Sequence, residues 1–334
     1  MHILVTGGAG FIGSHLVDSL LAQGAAVDVL DDFNDYYSPR IKRENLAAAR
    51  GRIVVHEVDL RDAIAVGRVV EGGGYDVIVH LAARAGVRPS IKDPRLYVDT
   101  NISGTLNLLE SARRSGVGRF VFASSSSVYG LCPNAPFRED EPLTQTISPY
   151  AATKLAGEHL CANYAHLYGM RTVCLRFFTV YGPRQRPDLA IHQFTRRIWQ
   201  GQPIDQFGDG GTRRDYTYVD DIVQGVLAAL EYQGPIFDIF NLGESRTTAL
   251  RDLIIQIETA LGRDAVIRQL PEQPGDVPMT CADITKARTL LGYAPGTSVE
   301  EGIPRFVEWF LQMQAGERTP RAAKAAPVYS PVAG

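Results

Sequence analysis

Apolar residues along this chain keep two alternating rhythms. Short β-branched runs at Ile3–Thr6, Val27–Leu30, Ile53–Val58, Val77–Leu81, Phe120–Ser124 and Thr172–Phe177 are apolar at successive positions. That pattern predicts strands of a parallel sheet whose two faces are both covered. Between them apolar positions return at helical spacing. Leu16, Val17, Leu20 and Leu21 share one face, and Gly24 stands where a C-terminal cap belongs. Strand and helix alternating through residue 177 predict an α/β fold, a doubly wound parallel-sheet Rossmann domain over residues 1–177. After Phe177 the rhythm breaks into a stretch rich in Pro and Gly. Helix patterns resume over 189–199, 220–232, 249–261 and 298–313, with a strand pattern at Phe237–Leu242. These predict a smaller interleaved α/β substrate lobe over 178–314, with segments near 217–242 returning to the first domain. Residues 315–334 carry little periodicity and are expected to form a disordered tail.

Composition narrows the class. The chain has 334 residues, 45% of them hydrophobic, and 34 basic against 37 acidic side chains for a net charge of -3. No basic excess points to a nucleic-acid partner. No apolar run approaches the about 18 residues of a membrane span. His2 leads straight into Ile3–Val5 without a preceding basic residue, unlike a signal peptide, so a cytoplasmic location is expected. Cys132, Cys161, Cys174 and Cys281 include no pair at two-residue spacing, so they predict reduced thiols and no zinc site.

The first strand opens into Gly7-Gly8-Ala9-Gly10-Phe11-Ile12-Gly13 and then a helix. Glycines at this spacing permit a tight turn and let a pyrophosphate approach backbone N–H groups at a helix start. A glycine turn with no ligand is the competing reading. The second strand ends in Asp31-Asp32, followed by Asn34. A carboxylate there accepts from an adenosine ribose and repels a 2′-phosphate, which favours NAD over NADP. Asp59-Leu60 and Leu81-Ala82-Ala83-Arg84 end the next two strands, where a cofactor crosses a sheet of this kind.

The second constellation is Ser148-Pro149-Tyr150-Ala151-Ala152-Thr153-Lys154. Ser148 suits a helix cap and Pro149 its first turn, which sets Tyr150 and Lys154 one turn apart on one face. A Lys ammonium and a cationic nicotinamide ring would favour the phenolate and make Tyr150 a base. Ser124-Ser125-Ser126-Ser127-Val128-Tyr129-Gly130 leaves the end of a central strand, where a hydroxyl can share a substrate proton with Tyr150.

Together with Arg213-Arg214-Asp215-Tyr216 and Gly275-Asp276-Val277-Pro278, these motifs stand in an order that resembles the extended short-chain dehydrogenase/reductase family, in its NAD-dependent sugar-nucleotide epimerase/dehydratase branch. The likeness covers about residues 1–312. It implies Ser125, Tyr150 and Lys154 as the catalytic trio. It implies a cofactor site built from Gly7, Gly10, Phe11, Ile12, Gly13, Asp31, Asp32, Asn34, Asp59, Leu60, Leu81, Ala82, Ala83, Arg84, Asn101, Tyr150 and Lys154, with Asn101 supporting the catalytic helix. Dehydratases and decarboxylases of the branch carry a carboxyl side chain just before the Val of Val-Tyr-Gly; this chain has Ser126 and Ser127 there, which leaves simple epimerisation. Leu175 to Asp188 is most similar to UDP-glucuronate 4-epimerases, through Thr179 and Arg186-Pro187-Asp188. The resemblance implies Arg186 for a sugar carboxylate, with Arg184 its competitor. It further implies Arg214 on the diphosphate, Asp276 on the UDP ribose, Phe207 beside the uracil, and Arg88, Ser126, Ser127 and Thr179 as further substrate-binding residues. Arg184, Arg186, Arg213, Arg214 and Arg246 are expected to form one basic pocket. Two features loosen the match: Gln273 stands where many relatives have Arg, and the small Thr280 does not exclude a 2-acetamido sugar. The implied activity is conversion of UDP-glucuronate to UDP-galacturonate with retained NAD, in a homodimer packed through helices around Leu106 and Leu160. Epimerases of UDP-glucose or UDP-N-acetylglucosamine, a decarboxylase and a non-catalytic NAD sensor remain the alternatives.

Overall fold

Strand β1 (His2–Thr6) leads through the glycine turn into α1 (Phe11–Ala22), then β2 (Ala26–Asp31), α2 (Pro39–Asn45), β3 (Val54–Glu57), α3 (Ala63–Gly73) and β4 (Val77–His80). Helices α4 (Val87–Lys92), α5 (Pro94–Val98) and α6 (Gly104–Ser115) precede β5 (Arg119–Ser125), α7 (Pro149–Tyr168) and β6 (Arg171–Phe177). The second half adds β7 (Thr179–Tyr181), α8 (Ala190–Trp199), β8 (Ile204–Phe207), β9 (Arg213–Arg214), β10 (Tyr216–Tyr218), α9 (Val219–Glu231) and β11 (Phe237–Leu242). It ends with β12 (Thr248–Ala249), α10 (Leu250–Leu261), β13 (Ile267–Leu270), α11 (Thr285–Leu291) and α12 (Val299–Arg318). This computed structural model describes residues 1–271 and 277–318.

Seven strands form one parallel sheet in the order β11-β6-β5-β4-β1-β2-β3. Alternate residues of the central strands serve opposite faces. Ile3, Val5, Val77, Val79, Val121 and Val173 enter the core under α1 and α9. Leu4, Ile78, Phe120, Phe122 and Cys174 enter the core under α3, α6 and α7. The expectation of strands covered on both faces fails only at β3. It is an edge strand paired with β2 alone, and its Val54 and Val55 are exposed. Strand β11 crosses back to pair with β6, so residues far along the chain complete the sheet.

A third core joins Tyr181, Ile191, Ile198, Ile204, Leu253, Phe306 and Phe310 in the smaller lobe. Three two-stranded ladders lace it: β7 with β10, β9 with β12, and β8 with β13. Strands this short have no period to read, so only β11 was legible beyond residue 177. The tail expectation is corrected at its start. Helix α12 runs on through Arg318. Residues 319–334 lie outside the described residues.

Helix α7 is fixed to the sheet by a buried ion pair. Both guanidinium edge nitrogens of Arg176 on β6 donate to Glu158 on α7, Nε to Oε1 and Nη2 to Oε2, each at 2.9 Å, with both side chains 3% exposed. Ser124 donates to the same carboxylate, and Arg176 donates to the Tyr129 hydroxyl at 3.0 Å. The Tyr129 hydroxyl in turn donates to Asn241 Oδ1 on β11 at 2.7 Å. Removing one partner of a buried pair strands the other charge. Arg176→Leu should therefore cost about 3–5 kcal/mol in urea unfolding; an unchanged midpoint would contradict this role.

Candidate active site

The glycine turn is closed against the end of β4. Gly7 has φ +70°, and a Cβ there would lie 2.7 Å from the Ala82 amide nitrogen. A Cβ on Gly13 would lie 2.2 Å from the Gly7 carbonyl oxygen. Both positions exclude any side chain. Helix α1 starts at Gly10 without a side-chain cap, so its first N–H groups face the cleft lined by Gly7, Gly10, Phe11, Ile12 and Gly13.

The acidic end of β2 divides its labour. Asp31, 6% exposed, accepts from the amides of Phe33 at 2.9 Å and Ala9 at 3.3 Å, so it ties the glycine turn to the following loop. Burial raises its pKa against the pull of Lys42. Asp32 is more open and engages Asn34 through backbone and side chain. Both carboxylates line the cleft. Lys42 escaped the sequence reading. It is buried, lines the cleft and sits 3.7 Å from Asp31 and 3.8 Å from Asp32. No motif marks it. Asp59 and Leu60 line the same end, and Arg61 holds the Asp59 carboxyl below the usual range.

Leu81, Ala82, Ala83 and Arg84 line the middle of the cleft. Asn101 lies behind them rather than among them. It is buried, its Oδ1 accepts from Arg84 N at 2.8 Å, and its Nδ2 donates to the Arg84 carbonyl at 2.9 Å and Thr153 Oγ1 at 3.0 Å. It thus supports both the cleft wall and α7. A second buried group, His80, reaches the same wall. Thr105 donates to the Asn101 carbonyl at 2.6 Å and so must accept from His80 Nε2 at 2.9 Å. Thr6 then donates to His80 Nδ1 at 2.7 Å and accepts from Ala82 N at 3.3 Å.

On α7, Ser148 caps the helix by accepting from Ala151 N at 3.1 Å, as the sequence predicts, with Pro149 in the first turn. Gly157 lets the helix approach β5, since a Cβ there would lie 2.3 Å from Phe122. Tyr150, Lys154 and Ser125 converge in the cleft. The electrostatics differ from expectation. Lys154 Nζ donates to the Ala123 carbonyl at 2.7 Å, and burial pulls its pKa down to about 8. Burial pushes the Tyr150 hydroxyl above 10.0, opposed by its hydrogen bond to Ser125 and by the charge of Arg186. The ring of Tyr97 packs edge-on to Tyr150 at 6.3 Å.

The substrate side separates the two competing arginines. Arg184 turns away and pairs with Asp18 on α1 at 2.7 Å, with φ +63°. Arg186 lines the cleft with Thr179. Of the five arginines expected to form one basic pocket, Arg186 alone lines this cleft; Arg213 is bound to Thr247, Arg214 Nη1 donates to the Arg213 carbonyl, and Arg246 is exposed. Outside the cleft, Arg88 stacks over Phe207 at 5.1 Å, bringing two predicted substrate residues together. Ser126 and Ser127 also stay outside the cleft lining; the Ser127 hydroxyl accepts from Ser125 at 3.1 Å. Asp276 and Gln273 lie outside the described residues. Tyr36 and Tyr37 also line the cleft and are absent from the sequence reading, whereas Asp188 enters it only as part of Arg186-Pro187-Asp188. Tandem tyrosines shortly after Asp31-Asp32 were the available signal for the first two.

A Rossmann sheet, a glycine turn at its switch point and a Ser-Tyr-Lys set at the end of β5 define a dinucleotide-dependent enzyme of short-chain dehydrogenase type. The chain belongs to the NAD dependent epimerase/dehydratase family, whose model matches residues 3–243. It is 43% identical over 312 residues to a UDP-glucuronate 4-epimerase of Thermodesulfobacterium geofontis, covering 92% of this chain and 95% of that one. Among solved structures it is similar to UDP-glucuronic acid 4-epimerase from Bacillus cereus in complex with UDP-glucuronic acid and NAD. That match has TM-score 0.88 and 38% identity, covering 94% of this chain and 100% of that one. It is also similar to the Thermus thermophilus UDP-glucose 4-epimerase complex with NAD, with TM-score 0.85 and 36% identity over 93% and 99% of the two chains. The protein is a nucleotide-sugar 4-epimerase and NAD is its cofactor. The glycine turn that admits no Cβ and the open acidic Asp32 fit that cofactor. No helix among the described residues is long and apolar enough to cross a membrane.

The His80 relay carries a pH signature. Burial, with the Lys154 charge adding to it, lowers the His80 pKa from 6.5 to about 3. Below pH 6.5 the unfolded chain takes up a proton that the fold refuses, so this stability is lost as pH falls toward about 3. His80→Gln should flatten that limb of unfolding free energy against pH. A limb of unchanged slope would place the acid sensitivity elsewhere.

Proposed function

We propose that this protein interconverts UDP-glucuronate and UDP-galacturonate by inverting C4. The observation that carries the reading is Arg186, which lines the cleft with Tyr150 and acts on its hydroxyl electrostatically, while Arg184 is committed to Asp18. A guanidinium there matches a sugar carboxylate bidentately, which a neutral hexose does not require. The glucuronate relatives support it.

In this reading Gly7, Gly10, Gly13, Asp32 and Leu81–Arg84 hold NAD. When bound, NAD supplies the acceptor and donor of the C4 hydride. Tyr150 takes the proton of the 4-hydroxyl, bridged by Ser125, and returns it after the 4-keto sugar has turned its other face. Lys154, braced on the Ala123 carbonyl, supplies the positive charge beneath. Thr179 and Arg186 orient the sugar, and Arg88, Phe207, Arg214 and Asp276 are assigned to the UDP half. The enzyme acts as a cytoplasmic homodimer, its partner covering the half-exposed face of α6 and α7 around Leu106 and Leu160.

Proton NMR of UDP-glucuronate with the purified protein and no added NAD should reveal UDP-galacturonate. Arg186→Ala should raise KM for UDP-glucuronate by about tenfold or more. Turnover of UDP-glucose with UDP-glucuronate left untouched would overturn the assignment in favour of the neutral sugar.

A further inference from the structure

The Arg186-Pro187-Asp188 run contains a carboxylate that the epimerisation scheme leaves without a task. Asp188 occupies one edge of the Arg186 guanidinium: Oδ1 accepts from Nε at 3.0 Å and Oδ2 from Nη2 at 2.8 Å. A second group braces the pair from the cofactor side of the cleft. Tyr36, in the loop between β2 and α2, donates its hydroxyl to Asp188 Oδ2 at 3.3 Å, and its ring lies 5.5 Å from the guanidinium carbon of Arg186. The Asp188 carbonyl is in turn held by Gln193 of α8 at 2.6 Å. Nη1 of Arg186 has no acceptor among the described residues, and Arg186 lines the cleft.

We propose that Asp188, braced by Tyr36, is a positioning residue that fixes the plane of the Arg186 guanidinium and presents its Nη1 side to the substrate carboxylate. The proposal rests on the UDP-glucuronate reading above and goes beyond it. Unclamped, an Arg side chain has several rotatable bonds and follows its ligand. Clamped along one edge and covered by an aromatic face, it becomes a fixed point to which the ligand must conform.

A fixed point matters for this intermediate. The 4-keto uronate is a β-keto acid. Its C5–C6 bond breaks when it stands perpendicular to the C4 carbonyl plane: the electron pair enters the enolate, carbon dioxide leaves, and C5 gains a proton to give a 4-keto pentose. A guanidinium of fixed position holds C6 near the ring plane and keeps that bond out of alignment. Asp188 and Tyr36 thereby govern how the intermediate partitions between return of the hydride and loss of carbon dioxide.

The test uses the full-length protein with UDP-glucuronate labelled with carbon-13 at the carboxyl, reading labelled carbon dioxide and UDP-galacturonate in one NMR experiment. Wild type should give the epimer. Asp188→Asn should raise carbon dioxide per epimer by roughly tenfold, with bound NAD unchanged. Asp188→Glu should bring the ratio part of the way back, and Tyr36→Phe should shift it in the same direction by less. Merely structural damage would slow both products together, and an unaltered ratio in Asp188→Asn overturns the proposal. Should Asp188→Asn fail to fold, Tyr36→Phe decides by the same criterion. A wild type that leaves UDP-glucuronate untouched but converts UDP-glucose overturns the substrate reading and the proposal with it. A wild type that forms the epimer beside variants that partition alike overturns the proposal alone.

Discussion

The active cleft depends on the ion pair of Glu158 and Arg176. Burying two charges costs several kcal/mol per ion, and only a doubly hydrogen-bonded geometry with further partners offsets it. Here the carboxylate receives two guanidinium bonds and the Ser124 hydroxyl. The result is directional in a way that apolar packing is not. Helix α7 cannot slide or rotate on β5 and β6 without stranding a charge. Gly157 against Phe122 sets its height above the sheet, and the Lys154 bond to the Ala123 carbonyl sets its rotation. Tyr150 therefore meets the end of the serine strand at one fixed point.

At that point Tyr150 is poised by opposing effects. Burial disfavours the phenolate, while Ser125 and Arg186 favour it. Arg186 thus serves twice in the proposed reaction, as the group that meets the sugar carboxylate and as a charge that eases proton removal. Arg186 is itself paired with Asp188 at 2.8 Å. The two halves of the cleft are also linked. Arg84, on the cleft wall, donates to Asn34 Oδ1 at 3.3 Å, and Tyr36 of the same loop donates to Asp188, before α8. In the proposed reaction the loop that follows the acidic end of β2 touches both the cofactor and the sugar.

The sequence by itself determined the sheet, the glycine turn and the catalytic helix. Each is a local matter. Strands apolar at every position have nowhere to go but between two layers, Gly7 and Gly13 stand where no Cβ fits, and Ser148-Pro149 starts a helix that sets Tyr150 and Lys154 one turn apart. Tertiary structure decided what local pattern cannot encode. It sent Arg184 to Asp18 and left Arg186 in the cleft, turned Asp31 to two backbone amides, placed Asn101 behind the wall, brought Lys42 and Tyr36 to the site, and set Asp188 against Arg186. It also ran the chain back to lay β11 beside β6. A charged side chain goes to whichever partner the fold brings nearest, and that partner can be 166 residues away, as Arg184 and Asp18 are. Spacing along the chain carries no record of that distance closing.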